Sequence, residues 1–280
     1  MNQKITRLGF IGVGRMGKPM AINLLKSGYD LAVYDVQQEP LRELAKFGAK
    51  VAQSPKELAA ISELIEVAVV DDAQVQEVLL GADGIFEGAE PETIIAVHST
   101  VNPEMVKSLA AKFTVKKTHV LDAPISGGET GAREKSLCYM VGGEASLLEC
   151  CREFFKTSAS DIFYLGPLGS GAAAKMIVQV VTCINMLAAS EAERLAEEGE
   201  LNFPALQKVL HASSGQSFVA DHWIDRFKLS EDSMDIRRRR TEVFQKSLAP
   251  ALEMAERLGF SLPGATLAQR LLPSVMGIEK

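Results

Sequence analysis

The sequence predicts an α/β fold in which a doubly wound parallel sheet is followed by an all-helical C-terminal domain. Residues 1–166 alternate short apolar runs with segments of helical period, a pattern typical of parallel strands joined by helices. Beyond Gly166 almost every segment has the helical period. We therefore expect two domains, residues 1–166 and 167–280, the second of which begins with a long interdomain helix.

Seven apolar runs are predicted as strands, and helices are predicted between most of them. The strands are RLGFIGVG (7–14), LAVYD (31–35), LIEVAVV (64–70), TIIAVHST (93–100), THVLDAPIS (118–126), LCYMVGG (137–143) and DIFYLG (161–166). The helices are MGKPMAINLLKSG (16–28), EPLRELAKFG (39–48), AQVQEVLL (73–80), NPEMVKSLAAKF (102–113) and EASLLECCREFFKTS (144–158). A long helix follows from about Ala172 to Glu198, with later breaks at Gly199, Pro204, Gly215 and Leu262-Pro263-Gly264.

The composition narrows the class of protein. The 280 residues are 47% hydrophobic and 24% charged, which is ordinary for a soluble globular protein. The net charge of -6 argues against a general nucleic-acid binder, because such proteins are usually basic. The four cysteines form no CxxC pair, so we expect reduced thiols and no metal site.

Targeting signals are not apparent in the sequence. Only a few residues precede the first predicted strand, which leaves no room for a signal peptide. No apolar run reaches the roughly 20 residues of a membrane span. We therefore expect a cytoplasmic protein with no membrane partner.

A glycine-rich turn joins the first predicted strand to the first helix. The segment Gly12-Val13-Gly14-Arg15-Met16-Gly17 has the spacing GxGxxG in the strand–turn–helix context that a dinucleotide-binding turn requires. In such Rossmann-type turns the first glycine makes the bend, the second admits a pyrophosphate, and the third allows helix and strand to pack closely. Free N–H groups at the helix N-terminus favour the anion. A glycine turn without a ligand is the alternative interpretation.

An acidic residue after the second strand bears on the choice of cofactor. Asp35 lies about 20 residues beyond the turn, where a carboxylate can bind ribose hydroxyls and would repel a 2′-phosphate. Val36 follows it in place of an arginine that would accept such a phosphate. The sequence therefore favours NAD over NADP. Val70, at the end of the strand 64–70, is expected to line the same nucleotide crevice.

Two further strand ends carry candidate binding residues. Ser126, Gly127 and Gly128 combine a hydroxyl with two uncovered backbone N–H groups, which suits a carboxylate. A tight turn at a strand end explains the glycines equally well. Ser99 or Thr100 could line a nicotinamide pocket, with helix capping as the alternative, and the preceding His98 is interpreted as a packing residue.

A lysine stands within the apolar start of the long helix. The first half of this helix is apolar almost all round, which predicts burial, and Lys175, Gln179 and Thr182 share one face. Burial disfavours the charged form of a lysine and lowers its pKa, so the amine could exchange a proton with a substrate oxygen. A lysine that extends to solvent from a helix end is the alternative.

Four blocks of the sequence together resemble the β-hydroxyacid dehydrogenase family, which contains 3-hydroxyisobutyrate dehydrogenase and tartronate semialdehyde reductase. The blocks are GFIGVGRMGKPMAINLLKSG (9–28), DAPISGG (122–128) with MVGG (140–143), GSGAAAK (169–175) and FQKSLAPALEMAERLGFSLP (244–263). The resemblance implies an NAD(P)-dependent oxidoreductase that interconverts a small β-hydroxyacid and its semialdehyde. It also implies homodimers or homotetramers that pack through the helical parts.

The resemblance implies a role for each site residue. Lys175 would be the general acid/base, and Ser126, Gly127 and Gly128 would hold the substrate carboxylate. Ser99 or Thr100 would lie near the nicotinamide, and Lys246 would approach the cofactor. The remaining cofactor contacts would come from Gly12, Gly14, Arg15, Met16, Gly17, Asp35 and Val70.

This chain departs from the family pattern after both lysines. Val178 replaces the asparagine that often follows the catalytic lysine, whereas Gln179 remains and is assigned to the substrate. Ser247 replaces the aspartate that usually follows the second lysine. Both changes bear on substrate identity more than on reaction type. The run Arg237–Arg240 is interpreted as a solvated helix surface, with binding of an anionic substrate or a subunit interface as the alternative.

Two other functions remain open from the sequence. A non-catalytic nucleotide-binding module would retain the glycine turn but would have no need of Lys175. An imine reductase would use the same fold, and its relatives generally lack the lysine.

Overall fold

The computed structural model describes residues 5–228 and 233–278. The chain folds into two compact units, of which the first ends at Lys175 and the second begins at Met176. This division falls inside a long helix, later in the chain than Gly166, and the domain boundary at Gly166 stays a prediction.

Within the described residues, nine strands of the first unit form one sheet. They are β1 (Arg7–Ile11), β2 (Asp30–Tyr34), β3 (Lys50–Val51), β4 (Leu64–Val67), β5 (Ile94–Val97), β6 (His119–Asp122), β7 (Ile125–Ser126), β8 (Leu137–Gly142) and β9 (Ala159–Gly166). Their order is β3-β2-β1-β4-β5-β6-β8-β7, and β9 pairs with β8. Strands β1 to β6 are parallel, and the order reverses between β1 and β4, where open α/β sheets bind ligands. The predicted fold class is confirmed.

The far edge of the sheet differs from the all-parallel prediction. The predicted strand 118–126 is two strands, because Pro124 follows β6 and a proline cannot donate a ladder hydrogen bond. Strand β8 then runs antiparallel to β6 and β7, and Ser126 pairs with Cys138. Strand β9 returns parallel to β8. The sheet is therefore mostly parallel with an antiparallel insertion.

Helices cover both faces of this sheet. They are α1 (Gly17–Lys26), α2 (Gln38–Lys46), α3 (Pro55–Ala60), α4 (Asp72–Leu80), α5 (Ile85–Gly88), α6 (Pro103–Phe113), α7 (Gly128–Glu134) and α8 (Ala145–Phe155). The sequence did not predict α3, α5, α7 or β3, because none is long enough to display a period. Side chains alternate between the faces, so Leu8 and Phe10 join one buried cluster and Ile11 joins the other.

The second unit is helical, as predicted. The long helix α9 (Ser170–Glu198) leads into α10 (Phe203–His211), α11 (Phe218–Asp221), a π-helical turn (Trp223–Phe227), α12 (Met234–Arg257) and α13 (Pro263–Val275). Its core contains Cys183, Met186, Trp223, Leu248 and Leu272.

The expectation that the start of α9 is buried all round is wrong for this chain. Ile177, Val181 and Leu195 are each more than half exposed. Their spacing of four and fourteen residues places them on one face of the helix. Helix α9 is also long and apolar enough to cross a membrane by length and composition, a test that core helices of soluble proteins pass as well.

The four arginines lie in α12. Arg238 and Arg239 are exposed, which fits the predicted solvated surface. Nη1 of Arg238 lies 3.8 Å from Oδ1 of Asp235. Arg237 and Arg240 are half-buried, and Arg240 donates to the carbonyl of Arg226. Glu231 and Asp232, which shortly precede the arginines and would be acidic partners of such a solvated surface, lie outside the described residues.

The carboxylate of Glu66 and the imidazole of His98 form a buried pair that links neighbouring central strands of the sheet. Nε2 of His98 lies 2.8 Å from Oε2 of Glu66, and Nδ1 lies 2.8 Å from the carbonyl oxygen of Ala123. Both side chains are almost completely buried. The rings of Phe10, Tyr139 and Phe155 surround the imidazole. The interpretation of His98 as a packing residue is therefore correct, and the pair joins the ends of β4, β5 and β6.

Replacing Glu66 alone should destabilise the first unit strongly. Glu66→Ala leaves a buried imidazole nitrogen without its partner, and breaking a buried pair in this way costs about 3–5 kcal/mol. The double variant Glu66→Leu/His98→Phe removes both polar groups and should cost less than the single change. Urea denaturation measures both values. Glu92→Ala is the control, because Glu92 pairs with His119 at the surface, and it should cost below about 1 kcal/mol. A Glu66→Ala protein as stable as the wild type would contradict this account.

Candidate active site

The glycine turn after β1 has the shape that a pyrophosphate needs. Gly12 has a φ of 88°, which favours glycine, and a Cβ there would lie 2.5 Å from the carbonyl oxygen of Ala68. A Cβ on Gly17 would lie 2.0 Å from the carbonyl oxygen of Gly12. A Cβ on Gly14 would meet nothing within 4 Å, and Gly14 is exposed. The first and third glycines are thus required by the fold, and the second leaves open space in front of α1.

The other predicted cofactor residues follow neighbouring strands at the same edge of the sheet. Asp35 comes directly after β2, and its Oδ1 accepts the N–H of Gln37 at 2.8 Å. Val70 is exposed after β4. Strands β2, β1 and β4 are adjacent, so these residues flank the glycine turn on its two sides. Arg15 and Met16 lie within the turn itself, exposed and half-buried respectively.

The hydroxyl of Ser99 is already engaged by the protein. It donates to the carbonyl oxygen of Val69 at 2.8 Å and accepts the N–H of Val69 at 2.9 Å. Ser99 therefore ties the end of β5 to the loop after β4. Of the two predicted nicotinamide neighbours, Ser99 is buried and Thr100 is partly exposed, and the placement of either beside a nicotinamide stays a prediction.

A buried carboxylate fixes the start of α9. Oδ1 of Asp122 accepts the N–H of Gly169 at 2.8 Å, and Oδ2 accepts the N–H of Ala172 at 2.6 Å. These are among the N–H groups that an α-helix leaves unpaired at its N-terminus, where the helix dipole also favours a negative charge. Burial raises the pKa of Asp122 above its ordinary value, and the hydrogen bonds from Gly169 and Ala172 oppose that rise. The end of β6 thus caps the helix that carries Lys175.

Close backbone packing fixes the direction of α9 as well. A Cβ on Gly171 would lie 2.2 Å from the carbonyl oxygen of Met140, so the first turn rests directly on β8. A Cβ on Gly142 would lie 2.5 Å from Oδ1 of Asp122. Lys175 lies four residues after Gly171 and therefore on the same face, one turn further. The structure buries it to 8% exposure, so the alternative of a lysine extending into solvent does not hold.

Strand β8 lies between the start of α9 and the strand that leads into the SGG turn. Cys138 on β8 is the cross-strand partner of Ser126 on β7, and paired residues project from the same face of a sheet. Burial and the charge of Asp161 raise the pKa of the Cys138 thiol, whereas the positive charge of Lys175 lowers it. Lys175 lies one helical turn beyond Gly171, which packs on Met140 of β8, and β8 pairs with the strand that carries Ser126. Gly127 and Gly128 follow with φ values of 133° and 66°.

The remaining predicted residues belong to the second unit. Gln179 is half-buried in α9, and Lys246 is exposed in α12. Their assignments to substrate and cofactor stay predictions. Within residues 5–228 and 233–278, no group of His, Cys, Asp and Glu side chains could hold a metal ion.

The sequence analysis did not predict the role of Asp122 or the position of Cys138. Asp122 was read only as part of the DAPISGG block, and the signal for its role was the motif GSG at a helix start, which leaves N–H groups in need of an acceptor. Cys138 gave no signal, because its place opposite Ser126 depends on the register of an antiparallel pair.

Two family models match consecutive parts of the chain. The NAD binding domain of 6-phosphogluconate dehydrogenase matches residues 7–166. The model described as the NAD-binding domain of NADP-dependent 3-hydroxyisobutyrate dehydrogenase matches residues 169–277. Together they cover both the sheet and the helices.

Known proteins show the same relationship over most of the length. Mouse mitochondrial 3-hydroxyisobutyrate dehydrogenase is 35% identical over 77% of this chain and 64% of its own length. The 2-(hydroxymethyl)glutarate dehydrogenase of Eubacterium barkeri is 29% identical over 96% and 89%. The structure of Mycobacterium tuberculosis 3-hydroxyisobutyrate dehydrogenase with L-serine superimposes with a TM-score of 0.82, at 25% identity, over 98% of this chain and 94% of that one. The chain therefore belongs to the β-hydroxyacid dehydrogenase family and is an NAD(P)-dependent dehydrogenase or reductase of CH–OH groups.

Proposed function

We propose that the enzyme interconverts a small β-hydroxyacid and its semialdehyde by hydride transfer, with Lys175 as the general acid/base. The observation that carries this proposal is the burial of Lys175 on a helix whose start is capped by Asp122 and packs on β8, the strand that pairs with Ser126. A purely nucleotide-binding module would have no use for an amine in that position. An imine reductase is not favoured, because the lysine is present.

Lys175 would transfer the proton that accompanies the hydride transfer. During oxidation the Lys175 amine takes the proton of the substrate hydroxyl, and during reduction the ammonium returns a proton to the carbonyl oxygen. In its charged form the ammonium also stabilises the developing oxyanion. The nicotinamide, when bound, accepts or donates the hydride. Gly12, Gly14 and Gly17 would hold its pyrophosphate.

The substrate class follows from groups at the SGG turn. The Ser126 hydroxyl and the N–H groups of Gly127 and Gly128 can donate hydrogen bonds to a carboxylate. The names of the relatives agree with this, because 3-hydroxyisobutyrate, 2-(hydroxymethyl)glutarate and L-serine all have a hydroxymethyl group next to the carbon that bears a carboxylate. We therefore infer a 2-substituted 3-hydroxypropanoate as substrate. Gln179 would contact it, and Val178, which cannot donate a hydrogen bond, favours an apolar substituent.

We infer NAD as the preferred cofactor. Asp35 places a carboxylate after β2, where it would bind ribose hydroxyls and repel a 2′-phosphate. Val36 is exposed and offers no positive charge to such a phosphate. Thr100 and Val70 would border the nicotinamide side of the crevice, and Lys246 would approach the cofactor from α12.

We also infer that two or more copies of the chain associate through the helical part. Ile177, Val181 and Leu195 form an apolar stripe on α9 that the single chain leaves exposed. Large exposed apolar faces of this kind usually mark an interface. A second copy is the occupant that the family resemblance implies.

Replacement of the lysine tests the reaction. Lys175→Met keeps the length and apolar stem of the side chain but removes the amine, so kcat should fall by about 10²- to 10⁴-fold while the Kd for NADH is retained. The assay follows NADH absorbance with 3-hydroxyisobutyrate, glycerate, L-serine and 2-(hydroxymethyl)glutarate. The diol 2-methyl-1,3-propanediol, which lacks the carboxylate, should be a poor substrate. Lys112→Met, an exposed change on α6, is the control. Unchanged turnover by Lys175→Met would refute the assignment.

A change at Asp35 tests the cofactor preference. The wild type should use NAD with a higher kcat/KM than NADP, and Asp35→Ala should reduce that ratio by about tenfold or more, because a charge next to the 2′-phosphate is removed. Asp30→Ala, at the opposite end of β2, should leave the ratio unchanged. A wild type that already prefers NADP would show that Asp35 does not set the choice.

A further inference from the structure

An ion-pair cluster connects the glycine turn to the SGG turn. Nε of Arg15, inside the glycine turn, lies 3.2 Å from Oε2 of Glu129. Glu129 directly follows the SGG turn in the chain, and its other oxygen, Oε1, accepts hydrogen bonds from Nε and Nη2 of Arg133 at 3.2 and 2.6 Å. One carboxylate therefore binds two guanidinium groups, that of Arg15 in the glycine turn and that of Arg133 one turn further along α7.

The charges of this cluster are unevenly exposed. The side chains of Arg15 and Arg133 are 75% and 64% exposed, whereas Glu129 is 31% exposed. Partial burial raises the pKa of Glu129, but the hydrogen bonds from Arg133 and Arg15 outweigh that effect and lower it. The carboxylate therefore stays charged at neutral pH, and the Arg15 guanidinium is free to move into solvent at little cost.

Arg15 lies where two anions can reach it. It follows Gly14, the residue whose open front would admit the pyrophosphate. A pyrophosphate there would attract the same guanidinium that Glu129 holds. Glu129 would keep its second partner, Arg133, when Arg15 leaves.

We propose that Glu129 competes with the dinucleotide pyrophosphate for Arg15, so that cofactor binding releases Arg15 from α7 and is thereby coupled to the SGG turn. The inference rests on the proposed function, because it requires a dinucleotide at the glycine turn. It assigns Glu129 a regulatory role within that site. Without cofactor, the Arg15–Glu129 contact ties the two turns together. With cofactor, Glu129 keeps only Arg133, which lies on α7 itself, so α7 loses this ion pair to the glycine turn.

The size of the effect follows from the exposure of the pair. Exposed ion pairs contribute little free energy, so removing the charge of Glu129 should tighten cofactor binding by only about two- to fivefold. The effect should shrink with salt, because the Debye length falls to about 3 Å at 1 M ionic strength.

Titration of the full-length protein with NADH, followed by nucleotide fluorescence, tests the competition. Glu129→Gln should lower the Kd for NADH about two- to fivefold at low salt, and the difference should vanish near 1 M salt. Glu149→Gln is the matched control, since Glu149 pairs with Arg152 at 2.6 Å on α8 and should leave the Kd unchanged. In an Arg15→Gln background, Glu129→Gln should have no further effect, because the competition acts only through Arg15.

Hydrogen exchange tests the coupling in the same proteins. NADH should change the exchange rates of α7 amides in the wild type, and this change should be reduced in Glu129→Gln. No change in the wild type would overturn the coupling.

The outcomes separate this inference from the proposed function. A wild type that binds neither NADH nor NADPH refutes both. A wild type that binds NADH while Glu129→Gln has an equal or higher Kd refutes the inference alone. Equal tightening in the Arg15→Gln background would likewise refute it, because the effect would then be general charge repulsion.

Discussion

The hydrogen bonds between the Asp122 carboxylate and the first turn of α9 hold the proposed active site together. Asp122 is 47 residues from Gly169 and 50 residues from Ala172 in the chain. These bonds join the strand end that leads into the SGG turn to the helix that carries Lys175. A buried carboxylate without donors would be costly, and a helix start without acceptors would leave its N–H groups unpaired. The carboxylate accepts the hydrogen bonds that the helix start has to donate, so the DAPISGG and GSGAAAK blocks meet at a fixed geometry.

Glycines make this arrangement possible by allowing backbones to approach. Gly142 lies so close to the Asp122 carboxylate that a Cβ would clash with it. Gly171 lies similarly close to the backbone of β8. Gly12 and Gly17 do the same at the first turn. Much of the site is thus backbone, held by close packing, and only a few side chains contribute chemistry. The proposed site is therefore buried at Lys175 and open to solvent at Gly14 and Gly128.

The sequence predicts those parts of the structure that depend on residues close together in the chain. Glycine spacing after an apolar run predicted the turn at Gly12–Gly17, and alternating strands and helices predicted the sheet. It does not predict contacts between residues that are far apart in the chain. The pairing of Ser126 with Cys138 depends on a chain reversal after Pro124, and Arg15 meets Glu129 across 114 residues. The apolar pattern of α9 also could not reveal that Ile177 and Val181 are exposed, because composition does not distinguish a buried helix face from an exposed apolar one.

The most direct test of the central claim is to weaken the Asp122 cap and follow both the helix start and the reaction. Asp122→Asn keeps one acceptor oxygen but places an amide NH₂ opposite the second N–H donor. The account predicts faster hydrogen exchange at Gly169 and Ala172 and a lower kcat, with the Kd for NADH retained, because only the placement of Lys175 depends on the cap. Faster exchange at both amides with an unchanged kcat would contradict it.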